Sequence, residues 1–170
     1  VTGPTQLSIE GWKAIAPLTI IPVVSSKEMC KQTLDIAEHA DISILCAAVA
    51  DFTPRSTANQ KIKKEVGQTS LTLELQTTTD IAASLGKKKR DDQILIGIAL
   101  ETHNELTNAE RKMQVKNLDM IVLNSLQDQG AGFGVDTNKV TLLYPNGKQK
   151  NLPLTSKEEV ADAIIDAISL

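Results

Sequence analysis

The stretch from Ile42 to Pro54, Ile-Ser-Ile-Leu-Cys-Ala-Ala-Val-Ala-Asp-Phe-Thr-Pro, constrains this chain more than any other. It opens as a near-continuous apolar run of strand length, the pattern of a strand buried on both faces of a parallel sheet. Its end changes character. Ala47, Ala48 and Ala50 leave room above the strand, and Asp51, Phe52 and Pro54 follow at once. In an open α/β sheet the ligand crevice lies outside the carboxyl ends of the strands. The stretch therefore predicts a central strand, Ile42 to Val49, ending where a ligand can approach the backbone closely.

The flanking segments alternate between strand and helix patterns. Val1 to Thr5 reads as the end of a strand entering a Gly-Pro turn, and Leu18 to Val24 as a second strand in which Pro22 marks an edge or a bend. Ser25 and Glu28 have capping-box spacing, opening a helix that runs to about Ala40 with Met29, Leu34 and Ala37 inward. Lys61 to Lys64 and Leu71 to Leu75, joined through Gly67, read as a hairpin whose Leu71, Leu73 and Leu75 form one apolar face in need of a cover. Thr78 or Thr79 caps a helix from Asp80 to about Lys89. The Lys87 to Arg90 run at its end suits the helix dipole in solvent. Ile94 to Ala99 is a buried strand, and Asn104 opens a helix with Leu106, Ala109 and Met113 inward. Met120 to Asn124 is a further strand, and Gly130 to Gly134 a loop. Lys139 to Tyr144 and Lys148 to Leu152 form a hairpin around Asn146-Gly147. Ser156 and Glu159 are a second capping box, opening a final helix through Val160, Ile164 and Ile168. The alternation predicts an α/β fold, a Rossmann-like three-layer sandwich with a largely parallel sheet and an antiparallel hairpin.

With 170 residues and 41% hydrophobic content, the chain has the size of one domain, residues 1–170. A formal charge of -3 offers no global basic surface for nucleic acid, and no apolar run is long enough to span a bilayer. A cytoplasmic protein is expected. Cys30 and Cys46, without a C-x-x-C pair and with only His39 and His103 to join them, read as reduced packed thiols rather than a zinc site, and the two histidines as ordinary surface residues.

Five blocks carry a family resemblance: Val1 to Thr5, Ala47 to Phe52, Lys61 to Lys64, Gly97-Ile98-Ala99-Leu100-Glu101-Thr102, and Lys116-Asn117-Leu118-Asp119 running on to Asn124. In this order they resemble bacterial phosphopantothenoylcysteine synthetase, across almost the whole chain. The resemblance implies an upstream strand, a loop with an Asn-His-Ser-Ser-Gly-like sequence and a helix, so the chain reads as an N-terminally truncated domain. It also implies a homodimer formed through the Lys61 to Leu75 hairpin, and allows an FMN-dependent decarboxylase domain fused upstream.

Residue by residue, the resemblance implies nucleotide contacts at Leu45, Cys46 and Ala47 through the backbone, and at Asp51 and Phe52. It implies the same for Thr79, Asp80, Ile81 and Ala82 at a helix N-terminus, for Ile98 against the base, and for Lys112 and Lys116 on one helical face. Lys61 is expected to be catalytic, a mobile point charge over the phosphates. Each has a plainer reading: Asp51 as a solvated loop residue, Phe52 as a core seal, Asp80 as a helix-dipole partner, and the lysine pair as a solvated cationic face. Ile98 stands where the family has an aromatic ring, so apolar packing is retained and stacking is not.

The implied reaction joins 4'-phosphopantothenate to cysteine with CTP and Mg2+. The carboxylate attacks the α-phosphate of CTP, pyrophosphate leaves, and the cysteine amine displaces CMP from the acyl-cytidylate. A non-catalytic nucleotide-binding or dimerisation module is the alternative from another class. A Rossmann dehydrogenase fits less well, because no G-x-G-x-x-G follows a strand.

Overall fold

A computed structural model gives the structure of residues 1–5, 17–101, 103–125 and 134–168, Ser125 by its backbone only. The chain divides into two compact units, Val1–Thr33 with Ala47–Asp80, and Leu34–Cys46 with Ile81–Leu170. In chain order the elements are α1 (Ser26–Ala37), β1 (Ile42–Leu45), β2 (Phe52–Pro54), β3 (Leu75–Thr77), α2 (Ile81–Lys88), β4 (Ile94–Glu101) and α3 (Glu105–Val115). These are followed by β5 (Met120–Ser125), β6 (Thr137–Asn138), β7 (Val140–Leu143), β8 (Gln149–Asn151), β9 (Thr155–Ser156) and α4 (Lys157–Ile168).

The second unit holds a five-stranded sheet in the order β1-β4-β5-β7-β8. β1, β4 and β5 run parallel, and β7 and β8 add an antiparallel hairpin. Strand residues alternate between faces. On one face Ile96, Met120, Val122, Val140 and Leu142 pack with Val160 and Ile164 of α4. On the other, Leu95, Ile121 and Leu123 are equally buried, and α3 packs against β4 and β5 through its buried Ala109 and Met113. Helices on both faces make the expected three-layer α/β arrangement. Fully burying side chains such as Ile96, Val122 and Leu142 contributes about 1.5–3 kcal/mol each.

Local chemistry sets the element ends. The Glu28 carboxylate accepts the N–H groups of Val24 (2.9 Å) and Ser25 (3.2 Å), while the Ser25 hydroxyl accepts from Glu28 N–H (3.2 Å). These bonds, that from Val24 foremost, hold the carboxyl below its ordinary pKa. The second box repeats the pattern: Ser156 Oγ accepts from Glu159 N–H at 3.1 Å, and Glu159 Oε2 accepts from Ser156 N–H at 3.1 Å. The Thr155 hydroxyl, which also donates to Glu159, is the main cause of that carboxyl's lowered pKa. The hairpin turn uses Gly147 at φ 76°. Its Tyr144 N–H donates to the Lys148 carbonyl at 3.0 Å.

Several expectations need correction. Leu18 to Val24 is no strand but a single parallel bridge, Thr2 to Pro22, with Thr2 N–H bound to the Ile21 carbonyl and Val23 N–H to that of Thr2, each at 2.9 Å. Pro22 has no N–H with which to extend the ladder. The run from Ile42 stops at Leu45, and β1 is the outer strand of the sheet, with Ile42 and Ile44 45% and 40% exposed. The alanine-rich continuation offers little side chain to pack, and the eight-residue β4 takes the interior place. Cys46 is accordingly exposed, not inside a buried strand.

In the first unit, Lys61 to Lys64 and Leu71 to Glu74 form no hairpin. The antiparallel pair is β2 with β3, in the register Phe52 to Thr77. Leu71, Leu73 and Leu75 stay exposed. A two-stranded ribbon with no layer on its apolar face is marginal in water, so the alternation alone does not close it. Leu106, expected inward, is also exposed. Of the Gly130 to Gly134 loop only Gly134 lies within the described residues.

Candidate functional site

The candidates divide between the units: Leu45, Cys46, Ile81, Ala82, Ile98, Lys112 and Lys116 in one, Ala47, Asp51, Phe52, Lys61, Thr79 and Asp80 in the other. In the sheet-bearing unit the parallel strands β1, β4 and β5 finish on the same edge, at Leu45, Glu101 and Ser125. Leu45 pairs in register with Gly97, next to Ile98, whose partly exposed side chain lies on the face that α4 covers lower down at Ile96.

Lys112 reaches this edge from the last turn of α3, where its ammonium donates to Glu101 Oε1 at 2.5 Å. The side chains are 38% and 12% exposed, so the carboxylate is nearly enclosed and the lysine half-open. The expected repulsion between Lys112 and Lys116 is therefore largely cancelled, because Glu101 neutralises the first of them. Glu101 lies in one of the resembling blocks, yet nothing in spacing alone says that its side chain turns toward α3.

Lys116 caps α3, its N–H bound to the Lys112 carbonyl at 3.0 Å. Its own carbonyl lies against α2, where a Cβ on Gly86 would stand 1.8 Å from that oxygen. Asn117, at φ 51°, donates its side-chain amide to the Gly86 carbonyl at 2.9 Å. A glycine within a helix is the sequence signal of this close approach.

Asp119, the acid of the Lys116 to Asp119 block, has a structural role at the opposite edge. Both its oxygens accept from Lys89 at 2.6 Å, and Oδ2 also accepts Leu95 N–H at 2.7 Å, tying the end of α2 to the start of β4. Lys89, expected in solvent as part of the cationic run, is instead only 11% exposed. Arg90 donates to the Glu38 carbonyl at 2.6 Å, and Gln93 to the carbonyls of Ala37 and Ala40, satisfying acceptors left at the end of α1. A cavity of about 520 Å3 opens here beside His39, Lys88, Arg90 and Ile94, and none of the candidate residues lines it.

Ile81 is buried and Ala82 half-buried at the start of α2, so their backbone rather than their side chains is the available feature. Asp80, expected in the first turn, directly precedes the helix. In its own unit, Thr78 N–H donates to the Asp51 carbonyl at 2.9 Å and Thr78 Oγ1 to the Ala50 carbonyl at 2.5 Å. These bonds set Asp51 and Phe52 beside the segment carrying Thr79 and Asp80. The Asp51 and Phe52 side chains are exposed, so Phe52 does not seal a core in this unit. Lys61 is exposed in coil, with no hydrogen bond or ion pair to Asp51 among the described residues. No cluster of three metal-ligating side chains occurs among the described residues, and no helix there is long and apolar enough to cross a membrane.

The model of the DNA/pantothenate metabolism flavoprotein C-terminal domain matches residues 1–170. The coenzyme A biosynthesis bifunctional protein CoaBC of Bacillus subtilis is 42% identical over 169 residues, 99% of this chain and 40% of that protein. A cysteine/cysteine sulfinic acid decarboxylase of an unknown prokaryotic organism is 48% identical over 151 residues, 89% of this chain and 42% of that protein. The chain thus spans about two-fifths of the length of these relatives. Among solved structures, the C-terminal domain of CoaBC superposes with a TM-score of 0.75 at 36% identity, covering 98% of this chain and 72% of that one. A Cab2 variant in complex with phosphopantothenate-cysteine shares the fold, with a TM-score of 0.61 at 20% identity over 85% of this chain and 49% of that one. The chain belongs to the DNA/pantothenate metabolism flavoprotein C-terminal domain family.

Proposed function

We propose that this chain is the synthetase domain of a bifunctional coenzyme A biosynthesis protein, joining 4'-phosphopantothenate to cysteine at the expense of CTP. The observation that carries the reading is the 42% identity to a CoaBC protein over 169 residues. A carboxylate is a poor acylating agent in water, so it must be activated. Its oxygen attacks the α-phosphate, pyrophosphate leaves, the amine then attacks the acyl carbon, and CMP departs with the carboxylate oxygen.

The chain's own groups suit charge stabilisation rather than covalent catalysis. Lys112, held by Glu101, is a preorganised cation for a phosphate oxygen. The backbone N–H groups of Ile81 and Ala82 at the start of α2 suit an anion. Ile98 gives a base an apolar surface, the backbone of Leu45, Cys46 and Ala47 lines its edge, and Lys116, Thr79 and Asp80 complete the nucleotide contacts. Lys61 is the mobile cation over the reacting phosphate, beside Asp51 and Phe52. Magnesium fits as the partner of the triphosphate, which requires only one or two protein carboxylates, such as Asp51.

Leu71, Leu73 and Leu75 lie exposed in a run that a second copy would cover, which supports a homodimer. A decarboxylase domain fused upstream and a cytoplasmic setting accompany this reading. The test is pyrophosphate release by the protein: it is expected only with CTP and phosphopantothenate present together. Release that ignores phosphopantothenate would exclude the ligase reading.

A further inference from the structure

We propose that Asn124 is the residue that selects the base of the nucleotide, its Oδ1 accepting a hydrogen bond from an exocyclic amino group such as cytosine carries. The inference rests on the nucleotide reading above and deepens it. Asn124 ends the apolar run Met120 to Leu123 on β5, where it is 8% exposed. Its Oδ1 is covered, and no hydrogen-bond donor reaches it among the described residues. An acceptor buried in this way destabilises the fold.

Among the described residues, nothing in the packing asks for an amide. The register partners of Asn124 are Leu100 and Val140, and Val122 precedes it on the same face. A leucine would suit those neighbours better. A polar group kept against the local preference of the core marks a place where function overrides packing.

The position agrees. Asn124 stands at the carboxyl end of a parallel strand, where α/β sheets bind ligands. Ile98 pairs with Val122, so Ile98 and Asn124 share a face one strand apart, with Asn124 about 6–7 Å further along. Ile98 is partly open on that face. A flat base resting on Ile98 turns an edge toward Asn124. An amino group donates to Oδ1. The carbonyl of uracil at the same place sets lone pair against lone pair.

The experiment is equilibrium binding of CTP and UTP to the wild-type protein and to Asn124→Ala, Asn124→Leu and Asn124→Asp, each checked by thermal melting. The wild type is expected to favour CTP over UTP by about tenfold or more, the scale of one hydrogen bond gained against one acceptor left unpaired. Asn124→Ala and Asn124→Leu are expected to lose CTP affinity while UTP affinity rises, the two changes together removing the roughly tenfold preference. Asn124→Asp retains the acceptor and keeps the preference. If the alanine and leucine variants weaken both nucleotides equally, or neither, Asn124 does not read the base and the proposal falls while the nucleotide reading stands. If the wild type binds neither nucleotide, both fall.

Discussion

Gly86→Ala sets two effects of opposite sign against each other. In an ordinary helix the change stabilises by up to about 1 kcal/mol, because alanine has the higher helix propensity. Here the new methyl would stand 1.8 Å from the Lys116 carbonyl oxygen and 2.8 Å from its carbon. Both are backbone atoms, so no side-chain rotation relieves the overlap, and the junction must open by roughly 1.5 Å to restore normal contact. Opening strains a packed interior by about 1–3 kcal/mol. It also breaks the Asn117 amide bond to the Gly86 carbonyl, about 1 kcal/mol more. The expected result is a net loss of about 1–3 kcal/mol, or roughly 2–12 °C in Tm for a domain of this size. Urea and thermal denaturation measure it directly. Because Lys116 rides on the same junction, nucleotide affinity is expected to fall alongside. An unchanged or raised midpoint would show that helix propensity wins and that α2 and α3 do not meet as closely as described.

Lys112→Ala leaves the enclosed Glu101 carboxylate unpaired and is expected to cost about 2 kcal/mol, below the usual loss for a fully buried pair because Lys112 is half-open. Adding Glu101→Gln should recover most of that stability without restoring nucleotide affinity; independent, additive losses would refute the pairing. The lowered pKa values of Glu28 and Glu159 mean that their caps stabilise fully above the ordinary carboxyl pKa of 4.5 and lose this as pH falls through the folded-state values. Glu159→Gln should therefore lower the urea midpoint more at pH 6 than at pH 3, whereas an equal effect at both would contradict the charged cap. In the full-length protein, Lys61→Ala is expected to cut turnover about a hundredfold with Tm unmoved, as for one charge-stabilising group; steady-state pyrophosphate release at the wild-type rate would remove Lys61 from catalysis. Leu73→Asp should convert a light-scattering dimer to a monomer, and a wild type that is already monomeric at micromolar concentration would dispose of the dimer.

What was legible in the sequence was mostly local. Both capping boxes, the Asn146-Gly147 hairpin and the long strand β4 rest on contacts within a few residues or on continuous apolar runs, and each formed where expected. What failed depended on partners distant in sequence. The strand from Ile42 reads as interior until β4 and β5 are seen to extend the sheet on one side only. The leucines from Leu71 to Leu75 alternate correctly for a strand, yet alternation supplies no second layer. Lys89 looks like part of a solvated run because Asp119, its partner, lies thirty residues on. The same holds at the candidate site. Lysines and carboxylates were visible as types in recognised blocks, but the Glu101 to Lys112 pair, the approach of Lys116 to Gly86 and the orphaned oxygen of Asn124 exist only once the strands are in register.

The central claim, activation of a carboxylate by nucleotidyl transfer, is tested most directly by oxygen tracing. The protein is supplied with CTP, cysteine and phosphopantothenate carrying 18O in its carboxylate, and the products are weighed by mass spectrometry. Attack on the α-phosphate must carry one labelled oxygen into CMP, because the bond from acyl carbon to that oxygen breaks when the amine enters. One 18O in CMP and none in pyrophosphate is the expected result. Label appearing in inorganic phosphate, or CMP without label, would contradict it.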